Sequence, residues 1–124
     1  MAKKDKKRIF LYYWQMLGTG EYPRSEYVFY YGRKFAADYA FPEQKLLIEI
    51  DGGVYGFRFT DKDGNKSWRR GGHSSISGQL ADMEKTNYAA MAGYRVMRFT
   101  PKQLEEDPHT CIEQVKEALG YEID

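Results

Sequence analysis

The stretch Leu46-Leu47-Ile48-Glu49-Ile50-Asp51 decides the fold, because two acids interrupt an otherwise apolar strand pattern. Side chains along a strand alternate between its two faces. The apolar side chains at positions 46, 48 and 50 therefore face one way, and Glu49 and Asp51 share the opposite face. Burying carboxylates costs free energy unless a partner compensates their charge. The stretch thus predicts a central strand with a cationic partner for the carboxylates on its acidic face.

A third acid, Asp38, interrupts the apolar run from Phe35 to Phe41 that precedes this strand. The turn at Pro42-Glu43-Gln44 is short, so the two strands should be antiparallel neighbours and Asp38 should approach Glu49. Mg²⁺ prefers carboxylate oxygens and keeps several waters, which makes it a natural partner for such a cluster. A Lys or Arg side chain at the sheet edge is the alternative partner. The acids alone favour neither.

Outward from these strands, hydrophobic periodicity and turn residues predict the remaining elements. A strand meander followed by a helical crossover to a further strand indicates an α/β (α+β) fold, a mixed sheet flanked by helices with an inserted β-hairpin. The predicted elements are a helix over 7–17, strands over 26–31, 33–41 and 46–51, the inserted hairpin over 54–70, a helix over 76–92, a strand over 94–99 and a final helix from 107. The helix over 76–92 is expected to carry on one side Ile76, Leu80, Met83, Asn87, Ala90 and Met91.

The length of 124 residues predicts one domain. We expect a basic arm over 1–8 and a single domain over 9–124, with an acidic helical tail over 101–124. No apolar run approaches the roughly 18–20 residues of a membrane helix. The single cysteine, Cys111, excludes an intramolecular disulfide framework and a cysteine zinc site, and the expected compartment is a reducing cytoplasm.

The net charge of +1 argues against a purely electrostatic DNA coat protein. It divides unevenly, however: residues 1–100 hold 17 Lys and Arg against 11 Asp and Glu, and residues 101–124 hold 2 against 7. A basic body with an acidic tail is compatible with a nucleic-acid partner. The alternative for hairpin cations is solvated protection of sheet edges. The side chains expected to hold phosphates are Lys3, Lys4, Arg33, Lys34, Arg58, Arg69 and Arg70.

Two further residues lie where they could assist an acidic site. Lys85 follows Asp82 by three positions, so the two share a helix face. A lysine beside a metal can orient water or stabilise phosphate charge, whereas the alternative is a surface ion pair. His73 follows a Gly71-Gly72 pair downstream of the acidic strand, and the alternative for it is an exposed loop histidine.

Between residues 24 and 100 the chain carries, in order, Asp38, Glu49-Ile50-Asp51-Gly52, Gly72-His73, Asp82-x-x-Lys85-x-Asn87-x-Ala89 and Gly93-Tyr94-Arg95-Val96-Met97-Arg98-Phe99-Thr100. This set resembles the PD-(D/E)xK nuclease superfamily. Within it, the set is similar to small phage-type endonucleases, which are related to very-short-patch repair endonucleases and Holliday-junction resolvases. The resemblance implies a restriction-endonuclease-like αβββαβ core, in agreement with the order of elements above.

The resemblance also implies roles for the acids. Asp38, Glu49 and Asp51 would ligate Mg²⁺, for which Mn²⁺ can substitute, and Ile50 would add its backbone carbonyl. Asp51 stands where the family usually has a lysine, so Lys85 would be a migrated lysine. Two more residues complete the implied catalytic set, namely His73 as the downstream histidine of the mismatch-repair-like branch and Glu26 as the glutamate that some resolvase-like members carry before the first core strand.

The function implied is a Mg²⁺-dependent DNA endonuclease, most specifically a Holliday-junction resolvase acting on branched DNA. Because such an enzyme cuts two strands symmetrically, a homodimer is expected. Its localisation would be cytoplasmic, in the host cytoplasm if the chain is phage-encoded. The alternatives are a mismatch- or site-specific nicking endonuclease of restriction type and a non-catalytic nucleic-acid-binding module on the same fold. Surplus aromatic surface for the dimer interface is expected from Tyr12, Tyr13, Trp14, Tyr27 and Tyr30.

Overall fold

The computed structural model describes residues 3–51, 57–60, 66–69 and 76–122, with side chains for residues 6–51 and 76–122. Along these residues, helices and strands alternate much as the periodicity predicts. No helix in the described ranges is long and apolar enough to cross a membrane. The elements are α1 (Lys3–Leu17), β1 (Arg24–Tyr30), β2 (Phe35–Phe41), β3 (Leu46–Ile50), β4 (Phe57–Thr60), β5 (Lys66–Arg69), α2 (Ile76–Met91), β6 (Arg95–Phe99), α3 (Pro101–Glu106) and α4 (Pro108–Ala118).

The main sheet has the strand order β1-β2-β3-β6. Strands β1, β2 and β3 form an antiparallel meander. Strand β6 pairs with β3 in parallel, which requires a long crossover, and α2 lies within that crossover. The prediction of a mixed sheet flanked by helices is thereby confirmed. Strands β4 and β5 form a separate antiparallel pair within the predicted hairpin.

Two tight turns set the register of the meander. Each is a single turn of 3-10 helix, and each ends in a lysine with a left-handed backbone, Lys34 at φ 55° and Lys45 at φ 54°. The N–H of each lysine closes the turn on the carbonyl three residues earlier, at Tyr31 and at Pro42. Such short connections bring consecutive strands into direct pairing, so Tyr39 lies opposite Ile48.

One face of the sheet carries the larger core. Helices α1, α3 and α4 pack together on this face. The predicted acidic tail is therefore part of the body, because its two helices contribute four buried side chains to the core. A capping box at Thr100 and Gln103 starts α3. The fully buried side chains of this core include Phe10, Trp14, Phe41, Leu46, Ile48, Leu104, Ile112 and Val115.

The other face is covered by α2 and carries a smaller core. The only buried residue of α2 is Ala89, which packs with Phe29, Ala37, Ala40 and Leu47. The side of α2 that carries Ile76, Leu80, Met83, Asn87, Ala90 and Met91 is exposed. The helix turns its charged side chains to the sheet, where they meet partners. The large apolar side chains on its exposed side are Ile76, Leu80, Met83 and Met91.

The predicted N-terminal arm is also corrected, because α1 begins at Lys3 rather than near residue 7. Lys and Arg are good helix formers, and the segment is attached to the sheet. The hydroxyl of Tyr39 donates a hydrogen bond to the carbonyl of Lys7 at 2.9 Å. Residues 3–8 are thus part of the first helix.

Candidate metal centre

Asp38 and Glu49 form the heart of the acidic site. The β2–β3 pairing extended by one residue beyond Tyr39 and Ile48 sets Asp38 opposite Glu49. The carboxylate of Asp38 uses both oxygens: Oδ2 accepts the backbone N–H of Ile50 at 2.8 Å, and Oδ1 accepts Lys7 Nζ at 2.7 Å. Asp38 is therefore fixed from the strand on one side and from α1 on the other.

Glu49 is the only buried charged residue in the described part of the chain, with 6% of its surface exposed. Its Oε1 lies 2.5 Å from Lys85 Nζ on α2. Burial raises the pKa of Glu49 to about 7, against the opposing effect of Lys85, and the neighbouring Asp38 carboxyl raises this pKa further. The two carboxyls are therefore crowded, each is paired with a lysine, and Glu49 holds its proton up to near neutral pH.

Lys7 was not among the residues predicted for the site. Burial lowers its pKa, but the hydrogen bond and the charge of Asp38, with smaller effects from Glu49 and Asp51, raise the pKa above its ordinary value. A signal was present in the sequence, because Lys7 precedes the buried Phe10 by three residues and Trp14 by seven. These spacings place Lys7 on the packed side of α1.

Asp51 belongs to a second group of charges beside the first. Its carboxylate lies 3.0 Å from Arg98 Nη1, which also lies 3.4 Å from Asp82 on α2. The guanidinium donates a further hydrogen bond to Thr86 Oγ1 at 2.9 Å. Burial lowers the pKa of Arg98, and the charges of Asp51 and Asp82 raise it above its ordinary value.

Sequence reasoning gave Arg98 no role. In the parallel β3–β6 pair Arg98 is the register partner of Glu49, and this pairing cannot be read from local sequence. The alternation of side chains along β6 does give a signal for Arg98. Arg98 lies on the same strand face as Val96, which packs on the smaller core. An arginine on an inward face requires acidic partners.

The structure therefore brings together two of the three predicted metal ligands. Asp38 and Glu49 are adjacent, whereas Asp51 is paired with Arg98, and Ile50 contributes its N–H to Asp38. Among the described residues, no group of three or more Asp, Glu, His or Cys side chains is arranged to hold a metal ion. The hard carboxylate oxygens of the central pair suit Mg²⁺ in kind. Burial, and to a smaller extent the neighbouring Asp38, raises the pKa of Glu49, and a bound cation would favour its charged form.

Glu26 lies beside Asp38 on the neighbouring strand. Ser25 pairs with Tyr39 and Tyr27 pairs with Ala37, so Glu26 stands opposite Asp38 in the same register. Its backbone is left-handed, with φ 48°. A non-glycine residue in such a conformation costs about 1–3 kcal/mol and persists only where its surroundings enforce it. The strain thus coincides with the predicted site.

A cleft of about 570 Å³ opens next to this point, between α1 and the strands β1 and β2. Asp38 and Glu26 line it from the sheet, and Lys7, Arg8 and Tyr12 line it from α1. Asp38 of the acidic pair therefore borders an open space that a ligand can enter, while Glu49 is buried beside it.

The other predicted residues are placed less favourably or lie outside the described residues. Arg33 is ion-paired with Glu84 and lies over the rings of Phe35 and Tyr88, at 5.3 and 5.2 Å from their centroids. Lys34 is exposed at the end of its turn. His73 and Arg70 lie outside the described residues. Only the backbone is described for Lys3, Lys4, Arg58 and Arg69.

Comparison of the chain with protein-family models, with curated proteins and with solved structures finds no match.

Proposed function

We propose that the protein is a Mg²⁺-dependent DNA endonuclease that hydrolyses phosphodiester bonds. The observation that carries this proposal is the direct apposition of Asp38 and Glu49, each held by a lysine, with Asp38 in the wall of an open cleft. A pair of acids in this arrangement is unfavourable for stability, because burial and mutual repulsion raise the pKa of Glu49 to about 7. Perturbed acids in a cleft are typical of functional sites.

The carboxylates of Asp38 and Glu49 would hold the ion, which would activate water and neutralise charge on the phosphate. Asp38 is already oriented for this by the N–H of Ile50. Lys7 and Lys85 each carry an ammonium group within hydrogen-bond distance of a ligand carboxylate. Both can therefore bind phosphate oxygens beside the acids.

Arg98 would keep Asp51 in place at the end of β3. Its guanidinium spans Asp51 and Asp82, so it ties the sheet to α2 next to Lys85. This contact fixes the position of α2, and through it the position of the Lys85 ammonium. Arg98 is in this proposal a positioning residue.

Branched DNA is the substrate that we propose, with two copies of the chain cutting symmetrically. The expected aromatic interface needs revision, because Trp14 is fully buried in its own core. The apolar side of α2 supports a homodimer better, since it exposes Ile76, Leu80 and Met83. The charged residues of α2, by contrast, have partners within the chain.

A second candidate is a non-catalytic nucleic-acid-binding module on the same fold. It is favoured by the ion pairs themselves, because Asp38, Glu49 and Asp51 each already have a cationic partner. In this case the acids would serve only to join α1 and α2 to the sheet.

A cleavage panel separates the candidates. The purified protein would be incubated with a four-way junction and with nicked, mismatched, linear and single-stranded DNA, in Mg²⁺ and in EDTA. We expect Mg²⁺-dependent cleavage, fastest on the junction, and a loss of at least about 100-fold in Asp38→Asn. Glu106→Gln is the matched control, because it removes an exposed acid paired with Lys102 on α3.

The remaining results of the cleavage panel each support one of the alternative functions or overturn the site. Preference for mismatched or linear DNA would indicate the mismatch- or site-specific nicking endonuclease. An Asp38→Asn protein that cleaves as fast as the unaltered chain would overturn the assignment of the site. DNA binding without cleavage, combined with no heat of Mg²⁺ or Mn²⁺ binding by calorimetry, would establish the non-catalytic module.

A further inference from the structure

The cleft between α1 and the strands β1 and β2 shares Asp38 with the acidic pair. The other residues that line it are not members of that pair. Its volume of about 570 Å³ is within the roughly 300–1,000 Å³ that is typical of small-molecule sites. A DNA duplex is far too wide to enter such a space, whereas one nucleotide has a suitable size. Because Asp38 is part of the wall, an occupant would lie directly beside a phosphodiester bound at the acidic centre.

The α1 wall of the cleft offers an aromatic surface. Tyr12 is 57% exposed, and its ring is held edge-on by Tyr13, with centroids 5.0 Å apart and planes at 78°. An exposed ring is a platform on which any base can stack. Gln15 and Ser25 also line the cleft, and their amide and hydroxyl groups can donate and accept hydrogen bonds at base edges.

The sheet wall of the cleft includes Glu26, whose backbone is left-handed with φ 48°. Ser25, Asp38 and Tyr39 complete this wall. Strained residues of this kind cluster at ligand sites. On the α1 side, Lys7 and Arg8 bring positive charge to the same space.

We infer that this cleft binds a single unpaired nucleotide of the DNA substrate, with its base stacked on Tyr12 and its phosphate directed to Lys7 and Arg8. The inference rests on the proposed function, from which DNA is taken as the occupant. It adds a substrate class: DNA in which one nucleotide beside the cleaved bond is unpaired or can leave the stack. Such a requirement selects branch points and bulges over uniform duplex.

The first arm of the test measures binding without hydrolysis. A short single-stranded DNA that carries one 2-aminopurine would be titrated with the full chain in EDTA, because stacking quenches the fluorescence of this base. Tyr12→Ala is expected to weaken binding by about 5- to 150-fold, and Tyr12→Phe should retain it because the ring remains. Tyr22→Ala is the matched control, since Tyr22 is 58% exposed and lies outside the cleft lining.

The second arm measures cleavage in Mg²⁺ of two duplexes that differ by one unpaired nucleotide. The unaltered chain should prefer the bulged duplex, and Tyr12→Ala should lower that preference at least about fivefold. Circular dichroism melting confirms that each variant is folded, as expected for a change at an exposed side chain.

The four results separate the inference from the proposed function. Effects of Tyr12→Ala in both arms support both. A Tyr12-dependent quench without cleavage of any DNA supports the nucleotide cleft and overturns the endonuclease. Cleavage and binding that are the same in Tyr12→Ala and Tyr22→Ala overturn the cleft and leave the endonuclease standing. Absence of both quench and cleavage overturns both.

Discussion

The two faces of the central sheet hold their helices by different forces. On the face covered by α1, α3 and α4, aromatic and aliphatic side chains such as Trp14 and Leu104 are completely buried. On the face covered by α2, only Ala89 of the helix is buried. There the helix is joined to the chain by ion pairs, from Lys85 to Glu49, from Asp82 to Arg98 and from Glu84 to Arg33.

This difference separates the face of the sheet that supplies most of the stability from the face that carries most of the ion pairs. Burial of apolar area supplies the main favourable free energy of folding, so the large core can stabilise the sheet on its own. Ion pairs near the surface add little to stability, and a buried acid such as Glu49 is a cost. The α2 face therefore contributes ion pairs such as that of Lys85 with Glu49 rather than a large apolar core, and the opposite face supports the fold.

One substitution on each face of the sheet tests most directly whether the two faces contribute differently to the free energy of unfolding. Leu104→Ala, at a side chain that is 0% exposed, should lower the free energy of unfolding by about 2–5 kcal/mol. Leu80→Ala, at a side chain that is 59% exposed in the single chain, should change it by less than about 0.5 kcal/mol in dilute protein, where any dimer is dissociated. Urea denaturation of both variants at low protein concentration measures these values. Equal losses under these conditions would mean that α2 buries its apolar side within one chain, whereas a loss for Leu80→Ala that appears only at high concentration would support the proposed dimer.

The second prediction concerns the pH dependence of stability without metal. The unfolded chain loses the Glu49 proton near its ordinary pKa of 4.5, whereas the folded chain keeps it up to about pH 7. Since the folded state binds more protons in this window, stability should fall as pH rises from 4.5 to 7, by roughly 3 kcal/mol. Urea denaturation in EDTA at a series of pH values measures this slope.

Glu49→Gln serves as the test variant, because its amide imitates the neutral acid. It should remove the pH-dependent loss and be more stable than the unaltered chain at pH 8. Glu106→Gln, which alters an exposed acid on the opposite face, should keep the slope. If the stability of Glu49→Gln also falls as the pH rises from 4.5 to 7, a group other than Glu49 holds the proton that causes this pH dependence.

The smallest change in stability is expected from a larger side chain at the contact between α2 and the sheet. Ala89 is 1% exposed, between the helix and the sheet, so Ala89→Leu should destabilise the protein by about 1–3 kcal/mol through overpacking. Its neighbour Ala90 is exposed, and Ala90→Leu should change stability by less than about 0.5 kcal/mol. A thermal melt distinguishes the two. A stabilised Ala89→Leu protein would show that this smaller core contains unfilled space.

The sequence predicted the parts of the fold that depend on local rules. The short turn over 42–44 places β2 next to β3, and alternation then puts Glu49 and Asp38 close together. Helical spacing placed Lys85 on the same side of α2 as Asp82, and the structure pairs Lys85 with Glu49. These inferences need only neighbouring strands and one crossover helix.

The remaining features depend on non-local contacts. The apolar periodicity of α2 is real, but the helix turns that side outward because Glu49 and Arg98 on the sheet attract its charged side. The ion pair of Lys7 with Asp38 depends on how α1 crosses the sheet. Nothing in the local sequence requires the left-handed backbone of Glu26.

The cysteine of the large core has a practical consequence. Cys111 is 7% exposed, its thiol donates to the carbonyl of Gln103, and burial raises its pKa. A thiol that is both covered and protonated reacts slowly with maleimides. The natural chain therefore provides a nearly silent background for site-directed labelling. A cysteine introduced at exposed Met83 would carry a fluorophore, and energy transfer between differently labelled copies would report directly whether two α2 helices meet.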